Sequence, residues 1–592
     1  MREDRLDSVA LLGVGALLGA VAIALAVPPA NRYELSIYDA YPEVYWILVV
    51  LAIFAGSLVI VGSAGISGNR SWIYGLGIVL LTNAMLLLLP YIRGYQMFGR
   101  GDALSHIGFV RDILSGGGIE ANIYPPLHLL VIAISGATGT QFMGLTMLVP
   151  VVTSGVYFGA MYYLLRHLFE SRERVLLALP FGMIPLLRHA HTGLRPFDLS
   201  LLLVPLALYT FVRGQRNNSP PSKALFVVVL GALLLYHPLT ALFVVFVFSI
   251  YVGARHFPRI VDRYASPTNV LSIATAIFVA WYSNFPGIIL RFEGIYEVLF
   301  GVSDGEAPLA TYAGTVEETS PALIDLIRVG TFKYGLEFTL FGLGFLFLGL
   351  AVVGYFALHY KFDTYAVTFA GTLGLFSVGG LLFLVLDLIV PPERPFQMAK
   401  VGAVVLIGSF GYVVWGTNVR VGGRSRRRSA MQTLLVVGLL LTIGLSVFSL
   451  YKSPLASQKN HQVTEMEVAG ADWLTENRAS SITSLSEVGM RYYRFYEAGH
   501  GRNRPKPFWG TPPPAHFNYS VHETLGESYS TSRYLSVTRL GRIIYPEAFP
   551  NYPEDWRYTP DEFRRLERDP SVTRVYDNGD YNQYVVAGTA DG

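Results

Sequence analysis

Asp102 and His106 are the residues with the clearest capacity for chemistry in this sequence. They stand four positions apart, so on a helix their side chains lie on one face. A carboxylate and an imidazole that converge there can accept a proton from a hydroxyl group or bind a divalent metal ion. The alternative is that Asp102 caps the helix and that His106 is an interfacial polar residue. The apolar residues Leu104, Ile107, Val110 and Leu114 follow another side of the same helix and predict a helix that rests on the bilayer surface.

A second polar cluster runs from Arg188 to Asp198 and includes His189, His191 and Arg195. Ionisable groups at the end of an apolar segment usually point into a cavity rather than into lipid. Arg195 is suited to bidentate binding of a phosphate, and either histidine could bind a metal ion or a sugar hydroxyl. Asp102 with His106 or His191 is therefore the candidate ligand set for Mg²⁺ or Mn²⁺. The alternative is that the arginines extend to lipid headgroups as ordinary interfacial anchors.

Three further features lie at predicted ends of apolar segments. His237, in a Tyr-His-Pro turn, either lines a cavity or satisfies backbone carbonyl groups. Arg394, in a Pro-Pro-Glu-Arg-Pro stretch, either binds an anion or anchors the segment at the interface, and Asp387, one turn inside the same boundary, is a possible partner. The loop 291–333 carries Glu293, Glu297, Asp304, Glu306, Glu317 and Glu318, and is either a lid or a solvated loop.

The composition is that of a membrane protein. Hydrophobic residues make up 52% of the 592 positions and charged residues only 15%, with a mean hydropathy of +0.42; soluble domains carry about 25% charged residues. The net charge of +3 and the lack of basic–aromatic motifs argue against nucleic acid as a partner, so the lipid bilayer is the expected environment. With no cysteine, disulfides, thiolate nucleophiles and cysteine metal sites are excluded.

About 13 apolar stretches are long enough, or nearly so, to cross a bilayer core of roughly 30 Å. They lie near 8–27, 44–63, 72–92, 142–165, 174–188, 198–212, 223–236, 239–254, 268–288, 335–358, 365–389, 398–417 and 431–450. The first is longer than a signal-peptide core, so we expect an uncleaved first span. The stretch 127–137 has only about 11 residues, so we do not count it as a span.

The basic loops predict the sidedness of the chain. If 127–137 does not cross, the loops 166–174, 213–223, 255–263 and 420–428 all lie on the side of the N-terminus, which is then cytoplasmic. The outer face then receives the long loops 93–141 and 289–334 and all of the residues singled out above. It also receives residues 451–592, whose composition is that of a small soluble α/β or α+β domain, whereas 1–450 form the helix bundle.

Elements of the outer domain can be assigned from local patterns. Alternating aromatic and β-branched residues around Asn578-Gly579 predict a hairpin over 575–586. Thr559-Pro560 predicts a helix start, residues 465–478 an amphipathic helix, and residues 534–545 a strand.

The first-loop acid Asp102, the juxtamembrane helix after it and the Tyr124-Pro-Pro126 motif resemble the GT-C superfamily of membrane glycosyltransferases, which includes protein mannosyltransferases and oligosaccharyltransferase catalytic subunits. The resemblance implies a mainly α, polytopic bundle, a polyprenyl (dolichyl) phosphate-linked sugar donor, a glycan or protein acceptor, and inverting transfer on the outer face. It implies that Asp102 activates the acceptor or helps to hold a metal, and that Arg394 binds the donor phosphate.

The Trp-Trp-Asp triplet of oligosaccharyltransferases is absent, since only Trp473, Trp509 and Trp556 occur in the C-terminal region. This favours transfer of a single sugar or of a lipid-linked glycan over protein N-glycan transfer. The alternatives are a lipid-linked glycan flippase or other transporter, which usually shows repeated halves, and a glycan polymerase or ligase. The sequence shows no internal repeat.

Overall fold

The computed structural model describes residues 3–116, 118–119, 122–254, 256–257, 261–263, 269–290, 293, 321–358, 362–386, 391–415, 425–487 and 515–590. Helices dominate the first three quarters of the chain. They are α1 Glu3–Ala26, α2 Glu43–Ser63, α3 Ser71–Leu87, α4 Leu89–Ile92, α5 Asp102–Leu114, α6 Pro125–Thr138, α7 Phe142–Leu168, α8 Arg172–Gly182, α9 Pro196–Asn217, α10 Pro220–Tyr236, α11 Pro238–Ala254, α12 Val270–Tyr282, α13 Leu323–Leu358, α14 Thr364–Val385, α15 Glu393–Trp415 and α16 Ser425–Phe448.

The fold class predicted from the sequence is confirmed: the protein is a mainly α, polytopic helix bundle with a small mixed C-terminal part. Each of the 13 predicted apolar stretches contains a helix. Within the described part of the chain, α1, α2, α7, α9, α13, α14 and α16 are long and apolar enough to cross a membrane. Five others, α3, α6, α10, α11 and α12, are apolar but shorter. The side on which each loop lies stays a prediction.

The stretch 127–137 forms most of α6, a helix of 14 residues. At 1.5 Å per residue it is about 21 Å long, which is less than the bilayer core. Two prolines occupy its first turn, where their missing N–H groups cost nothing, and Gly139 ends it with a φ of 71°. Its first turn faces α5, so the two short helices form one unit beside α7 and α10.

The expectation that α5 rests on the bilayer surface is wrong for most of its apolar face. Leu104, Ile107 and Val110 are at most 1% exposed and belong to the main hydrophobic core, whereas Leu114 is 55% exposed. The cause is that α5 packs against α6 and α7. Hydrophobic periodicity shows that a face is shielded from water, but it does not distinguish shielding by lipid from shielding by protein.

The C-terminal part contains a four-stranded sheet formed by β5 Thr483–Ser486, β6 Arg533–Thr538, β7 Val572–Asp577 and β8 Tyr581–Val586, in the order β5-β6-β8-β7. β5 and β6 are parallel, and the other pairs are antiparallel. The predicted hairpin is confirmed as β7–β8, with Gly579 at a φ of 98°. The helices α17 Glu465–Asn477 and α19 Pro560–Leu566 are also confirmed, and each begins with a capping box, at Thr464 and Thr559.

The predicted strand over 534–545 is only half right. β6 ends at Thr538, and α18 Arg539–Ala548 begins immediately after it. The side chain of Thr538 accepts a hydrogen bond from the backbone N of Gly541 at 3.2 Å, so it acts as the helix cap. Beyond this cap the apolar residues Leu540, Ile543 and Ile544 have the i, i+3, i+4 spacing of a helix face, which the prediction of a continuous strand overlooked.

Two small pairings attach the C-terminal part to the bundle next to α5. The strand β1 Met97–Phe98 pairs antiparallel with β4 Gln462–Val463, and the backbone N of Gly99 donates to the carbonyl of His461 at 2.9 Å. Gly99 and Gly101 then have φ values of 126° and 95°, which glycine tolerates best. This turn leads the chain directly from the domain contact into the first residue of α5, Asp102.

Glu487, after β5, predicts a pH-dependent stability. Its carboxyl group is 4% exposed and accepts hydrogen bonds from the backbone and side chain of Thr538. Burial raises its pKa from 4.5 to about 7. The effect of burial exceeds the opposing effects of the Thr538 hydrogen bonds and of the Arg542 charge, which lower the pKa. The raised pKa means that the folded state binds the extra proton between pH 4.5 and 7. Stability therefore falls as pH rises through this window, by up to about 3 kcal/mol.

We expect Glu487→Gln to remove this fall, because a glutamine side chain accepts the same hydrogen bonds and does not titrate. The measurement is the apparent unfolding temperature of the purified protein from pH 4.5 to 8. The exposed Glu554→Gln serves as control and should keep the wild-type slope. An unchanged slope in the Glu487 variant would contradict the assignment.

Candidate functional site

A large polar cavity lies where α5, the short 3-10 helix Arg188–His191 and the first turns of α9 and α15 meet. Its volume is about 710 Å³, which is enough for a sugar and a phosphate group. Its wall is formed by Asp102, Ser105, His106, Phe109, Tyr124, Arg188, His189, Ala190, Arg195, Pro196, Phe197, Asp198, Leu201, His237, Lys333, Pro391, Glu393, Arg394, Gln397, Lys452 and Gln458.

Six of the seven residues singled out from the sequence line this one cavity, although up to 292 positions separate them in the chain. They are Asp102, His106, His189, Arg195, His237 and Arg394. Asp102 is exposed at the start of α5, and its side chain makes no cap hydrogen bond with the helix, whose N-cap residue is Gly101. The carboxylate is therefore accessible from the cavity.

His191 is placed elsewhere. Its side chain is 0% exposed, its Nδ1 lies 3.0 Å from Ser154 Oγ, and its ring stacks on Phe158. Tyr157 contacts the ring edge-on. The structure therefore makes His191 a core histidine of the α7 contact and does not bring it together with Asp102 or His106.

Aromatic rings form one side of the cavity. His237 stacks on Tyr124 with ring centroids 5.7 Å apart and planes at 3°, and meets Phe197 edge-on at 5.1 Å. The guanidinium of Arg394 lies over the Phe197 ring at 4.7 Å. His237 Nδ1 also accepts from the backbone N of Leu239 at 3.2 Å, so this histidine both orders the start of α11 and lines the cavity.

The two arginines predicted to bind phosphate have different surroundings. Arg195 forms an ion pair with Asp198 at 2.5 Å, and Asp198 is 1% exposed. The guanidinium of Arg394 makes no hydrogen bond or ion pair with any of the described residues and contacts only the Phe197 ring. Arg394 is thus the cation whose charge is available to a ligand, while Arg195 is oriented by its carboxylate partner. The predicted pairing of Arg394 with Asp387 lies outside the described residues.

Lys452, Lys333 and Arg188 add positive charge to the wall. Arg188 has a φ of 55° and donates to the backbone carbonyls of Phe332 and Lys333 at 2.9 and 2.6 Å. It also contacts Glu337 at 3.3 Å, and Glu337 pairs with Lys400 at 2.8 Å. This buried set ties the 3-10 helix to α13 and α15. A strained backbone, such as that at Arg188, is often found at active sites.

Burial also governs the charge states of two residues outside the spanning helices. Burial and the nearby Arg195 hold the pKa of His189 well below 6.5, so this imidazole is neutral at pH 7. Burial, with a contribution from Arg195, lowers the pKa of Lys452 to about 8. Lys452 makes no hydrogen bond or ion pair with the described residues, so its ammonium group faces the cavity without a fixed partner.

The pKa of Lys452 predicts how ligand binding depends on pH. The ammonium form is present below pH 8 and is lost above it, so the affinity for an anionic ligand should fall as pH rises from 7 to 9. Arginine stays charged throughout this range. We expect Lys452→Arg to flatten the profile and Lys452→Gln to give low affinity at every pH. The measurement is the dissociation constant of an anionic ligand such as inorganic pyrophosphate against pH, and an identical profile in all three proteins would contradict the role of Lys452.

The described residues do not fit a metal site built by protein ligands alone. Nowhere in the described ranges do three His, Asp or Glu side chains come close enough together to hold a metal ion. His191 is turned away from the cavity, and the Nδ1 of His106 already contacts His128 Nε2 at 3.0 Å. We therefore derive no step through a metal. The predicted requirement for Mg²⁺ or Mn²⁺ stays a prediction, as does the lid over 291–333, whose acids from Glu297 to Glu318 lie outside the described residues.

Four functional candidates were missed by sequence reasoning: Asn122, His128, Lys333 and Lys452. His128 lies in the first turn of the apolar helix α6, and a lone ionisable residue in an apolar helix is a usable signal. Lys452 lies four residues after the end of α16 and Lys333 lies within α13, so in the sequence both resemble ordinary interfacial anchors. Their position in the cavity depends on how distant helices pack, which local sequence does not specify.

Likeness to known proteins is found among solved structures. No protein-family model matches the chain, and no curated protein matches it. Among solved structures, the chain is similar to the oligosaccharyltransferase of Archaeoglobus fulgidus, which was crystallised tethered to an acceptor peptide that contains the NVT sequon. The TM-score is 0.46 at 10% sequence identity, over 86% of this chain and 71% of that one.

Proposed function

We propose that this protein is an inverting membrane glycosyltransferase of the GT-C type, which transfers a sugar from a polyprenyl (dolichyl) phosphate-linked donor to a glycan or protein acceptor. The observation that carries the proposal is the 710 Å³ cavity, which combines an accessible carboxylate, Asp102, with the cations Arg394 and Lys452, neither of which has a carboxylate partner among the described residues. A phosphate-linked sugar and an acceptor hydroxyl need these two kinds of group at opposite ends of one site.

The donor end of the site would be the cationic wall. Arg394 would bind the phosphate of the donor, and Lys452 and Arg195 would add positive charge around it. His189 and His237 would contribute hydrogen bonds to the donor. As the bond between the anomeric carbon and the phosphate oxygen breaks, negative charge grows on the leaving polyprenyl phosphate. Fixed cations in a partly buried site stabilise this charge more than they stabilise the uncleaved donor.

The acceptor end would be the α5 side of the cavity. The acceptor hydroxyl oxygen attacks the anomeric carbon from the face opposite the phosphate, so the configuration inverts. Asp102 takes the hydroxyl proton as the new C–O bond forms. The products are the glycosylated acceptor and free polyprenyl phosphate. The Tyr124–His237–Phe197 wall offers apolar ring faces against which a sugar ring can pack between the two ends.

The cavity would open on the outer face of the cell membrane, with the N-terminus in the cytoplasm and residues 451–592 outside. The distribution of basic loops supports this sidedness. The contact of β1 with β4 supports it as well, since it places the start of α5 and the C-terminal part on the same side of the bundle. The lipid chain of the donor would lie in the outer leaflet.

Mass spectrometry of surface glycoproteins and of lipid-linked glycans from cells with and without this chain tests the proposal. Loss of one sugar from the mature glycan supports the transferase. Accumulation of a complete lipid-linked glycan would instead indicate a flippase or ligase. A polymerase would be recognised by shortened glycans that keep every sugar type.

A further inference from the structure

His106 takes part in a buried chain of hydrogen bonds that runs from the cavity wall into α6. His106 Nδ1 lies 3.0 Å from His128 Nε2, and His128 Nδ1 lies 2.6 Å from Asn122 Nδ2. Asn122 Oδ1 in turn accepts from the backbone N of Tyr124 at 2.9 Å. His106, His128 and Asn122 are 8%, 0% and 4% exposed, so these contacts are shielded from exchange with water.

The direction of each of these hydrogen bonds is fixed by the group at one end, the backbone N–H of Tyr124. A peptide N–H can only donate, so the atom of Asn122 that faces Tyr124 N must be the amide oxygen. The amide nitrogen therefore faces His128, and because it too can only donate, His128 Nδ1 must carry a lone pair. A neutral His128 then holds its proton on Nε2 and donates it to His106 Nδ1.

The same logic fixes His106. Its Nδ1 accepts from His128, so the proton of a neutral His106 ring lies on Nε2. His106 lines the cavity, whereas His128 does not, and because Nδ1 of His106 contacts His128, Nε2 is the ring nitrogen that can meet a ligand there. A general base or a metal ligand needs a lone pair on the nitrogen that it presents, and this tautomer presents an N–H group instead.

We propose that Asn122 and His128 are positioning residues that hold His106 in the Nε2–H tautomer, so that His106 acts as a neutral hydrogen-bond donor to the ligand in the cavity. This deepens the proposed function and rests on it for the identity of the ligand acceptor, an oxygen of the phosphate-linked sugar. The two polar side chains of α5 then have different roles. Asp102, which can only accept, takes the proton of the acceptor hydroxyl, and His106, one turn later, donates a hydrogen bond.

The tautomer can be measured directly on the full-length protein. Histidine-selective ¹⁵N labelling in nanodiscs, with the His106 signals assigned by their absence in His106→Gln, reports which ring nitrogen is protonated. We expect protonated Nε2 and unprotonated Nδ1 at pH 7.5. The opposite tautomer would overturn the proposal. This readout needs no substrate, so it stands even if the chain proves not to be a glycosyltransferase.

The substitution Asn122→Asp should reverse the direction of the hydrogen bonds that link Asn122, His128 and His106. An aspartate of the same shape still accepts from Tyr124 N, but it can only accept from His128, so the proton of His128 moves to Nδ1. In a neutral His128, Nε2 then carries a lone pair, and His106 must hold its proton on Nδ1; an imidazolium at His128 would instead keep donating to His106, and its own ¹⁵N signals distinguish the two states. We expect the ¹⁵N signals of His106 to switch and kcat to fall about 10²-fold, as when one transition-state donor is removed. The exposed Asn284→Asp controls for the added charge and should change neither. An unswitched His106 beside a neutral His128, or a fall in kcat without a switch of the His106 tautomer, would contradict the proposal.

Substitution of His106 itself separates a donor from a base. A glutamine can accept from His128 with its oxygen and donate to the ligand with its amide nitrogen, whereas phenylalanine can do neither. We expect His106→Gln to retain at least tenfold more transfer activity than His106→Phe. If the two variants are equally inactive although folded, His106 acts through a lone pair and the proposal fails.

Discussion

Asp102→Asn should reduce kcat/KM for sugar transfer by roughly 10²- to 10⁴-fold, the usual contribution of a general base. Asparagine has the shape of aspartate but cannot take the proton of the acceptor hydroxyl. Asp102 is exposed and makes no cap hydrogen bond with α5. The substitution should therefore cost at most about 1 kcal/mol of stability, through the helix dipole. The measurement is transfer by purified protein at saturating donor, together with its unfolding temperature.

Glu393→Gln is the matched control for Asp102. Glu393 also lines the cavity, but it lies on α15 and its carboxylate contacts the Tyr334 hydroxyl at 3.4 Å. We expect Glu393→Gln to lower kcat by less than about tenfold. Loss of one negative charge from the cavity changes the electrostatic stabilisation of the transition state, and a roughly tenfold effect is the size expected from that change alone. Equal losses in both variants would show that Asp102 acts through the field of the cavity and not as the base.

Arg394→Gln is expected to raise the KM for the lipid-linked donor by roughly 10- to 100-fold, which corresponds to the loss of a hydrogen bond between charged groups. The available charge of Arg394 is the reason for this expectation, since the guanidinium has no carboxylate partner among the described residues. Arg394→Lys should recover part of the affinity, because it restores the charge without the planar fork of donors. The measurement is initial rate against donor concentration.

A cation outside the cavity provides the comparison for Arg394. Arg328 lies on α13, is 44% exposed and pairs with Asp325 at 2.9 Å. Arg328→Gln should leave the donor KM within about twofold of the wild type. If Arg394→Gln behaves like Arg328→Gln, the donor phosphate is bound elsewhere in the cavity, and Lys452 becomes the first residue to test.

Hydropathy predicted the helices well because each spanning helix depends on a local property, the length of its apolar run. It failed where the outcome depends on packing between helices. The apolar face of α5 looked suited to lipid, yet Leu104 and Ile107 are covered by protein. The strand predicted past Thr538 failed for a local reason, since a single capping side chain changed the backbone from strand to helix.

For the candidate site too, the sequence predicted what depends on local properties and did not predict what depends on packing between helices. Sequence singled out the polar residues at helix ends, because ionisable groups are costly in lipid and usually line cavities. It could not separate His189, which lines the cavity, from His191, which packs in the core two residues later. Nor could it show that His128 contacts His106 from a separate helix, since that contact arises only when α5 and α6 pack together.

The most direct test of the proposed activity uses the purified full-length chain in vesicles that contain a polyprenyl phosphate-linked radioactive sugar. A glycan or peptide acceptor is present in the outer solution. We predict that radioactivity appears in the acceptor, that an equal amount of polyprenyl phosphate is released, and that Asp102→Asn stops both. Movement of the intact donor between leaflets, with no released polyprenyl phosphate across a panel of sugar donors, would contradict the transferase and point to a flippase.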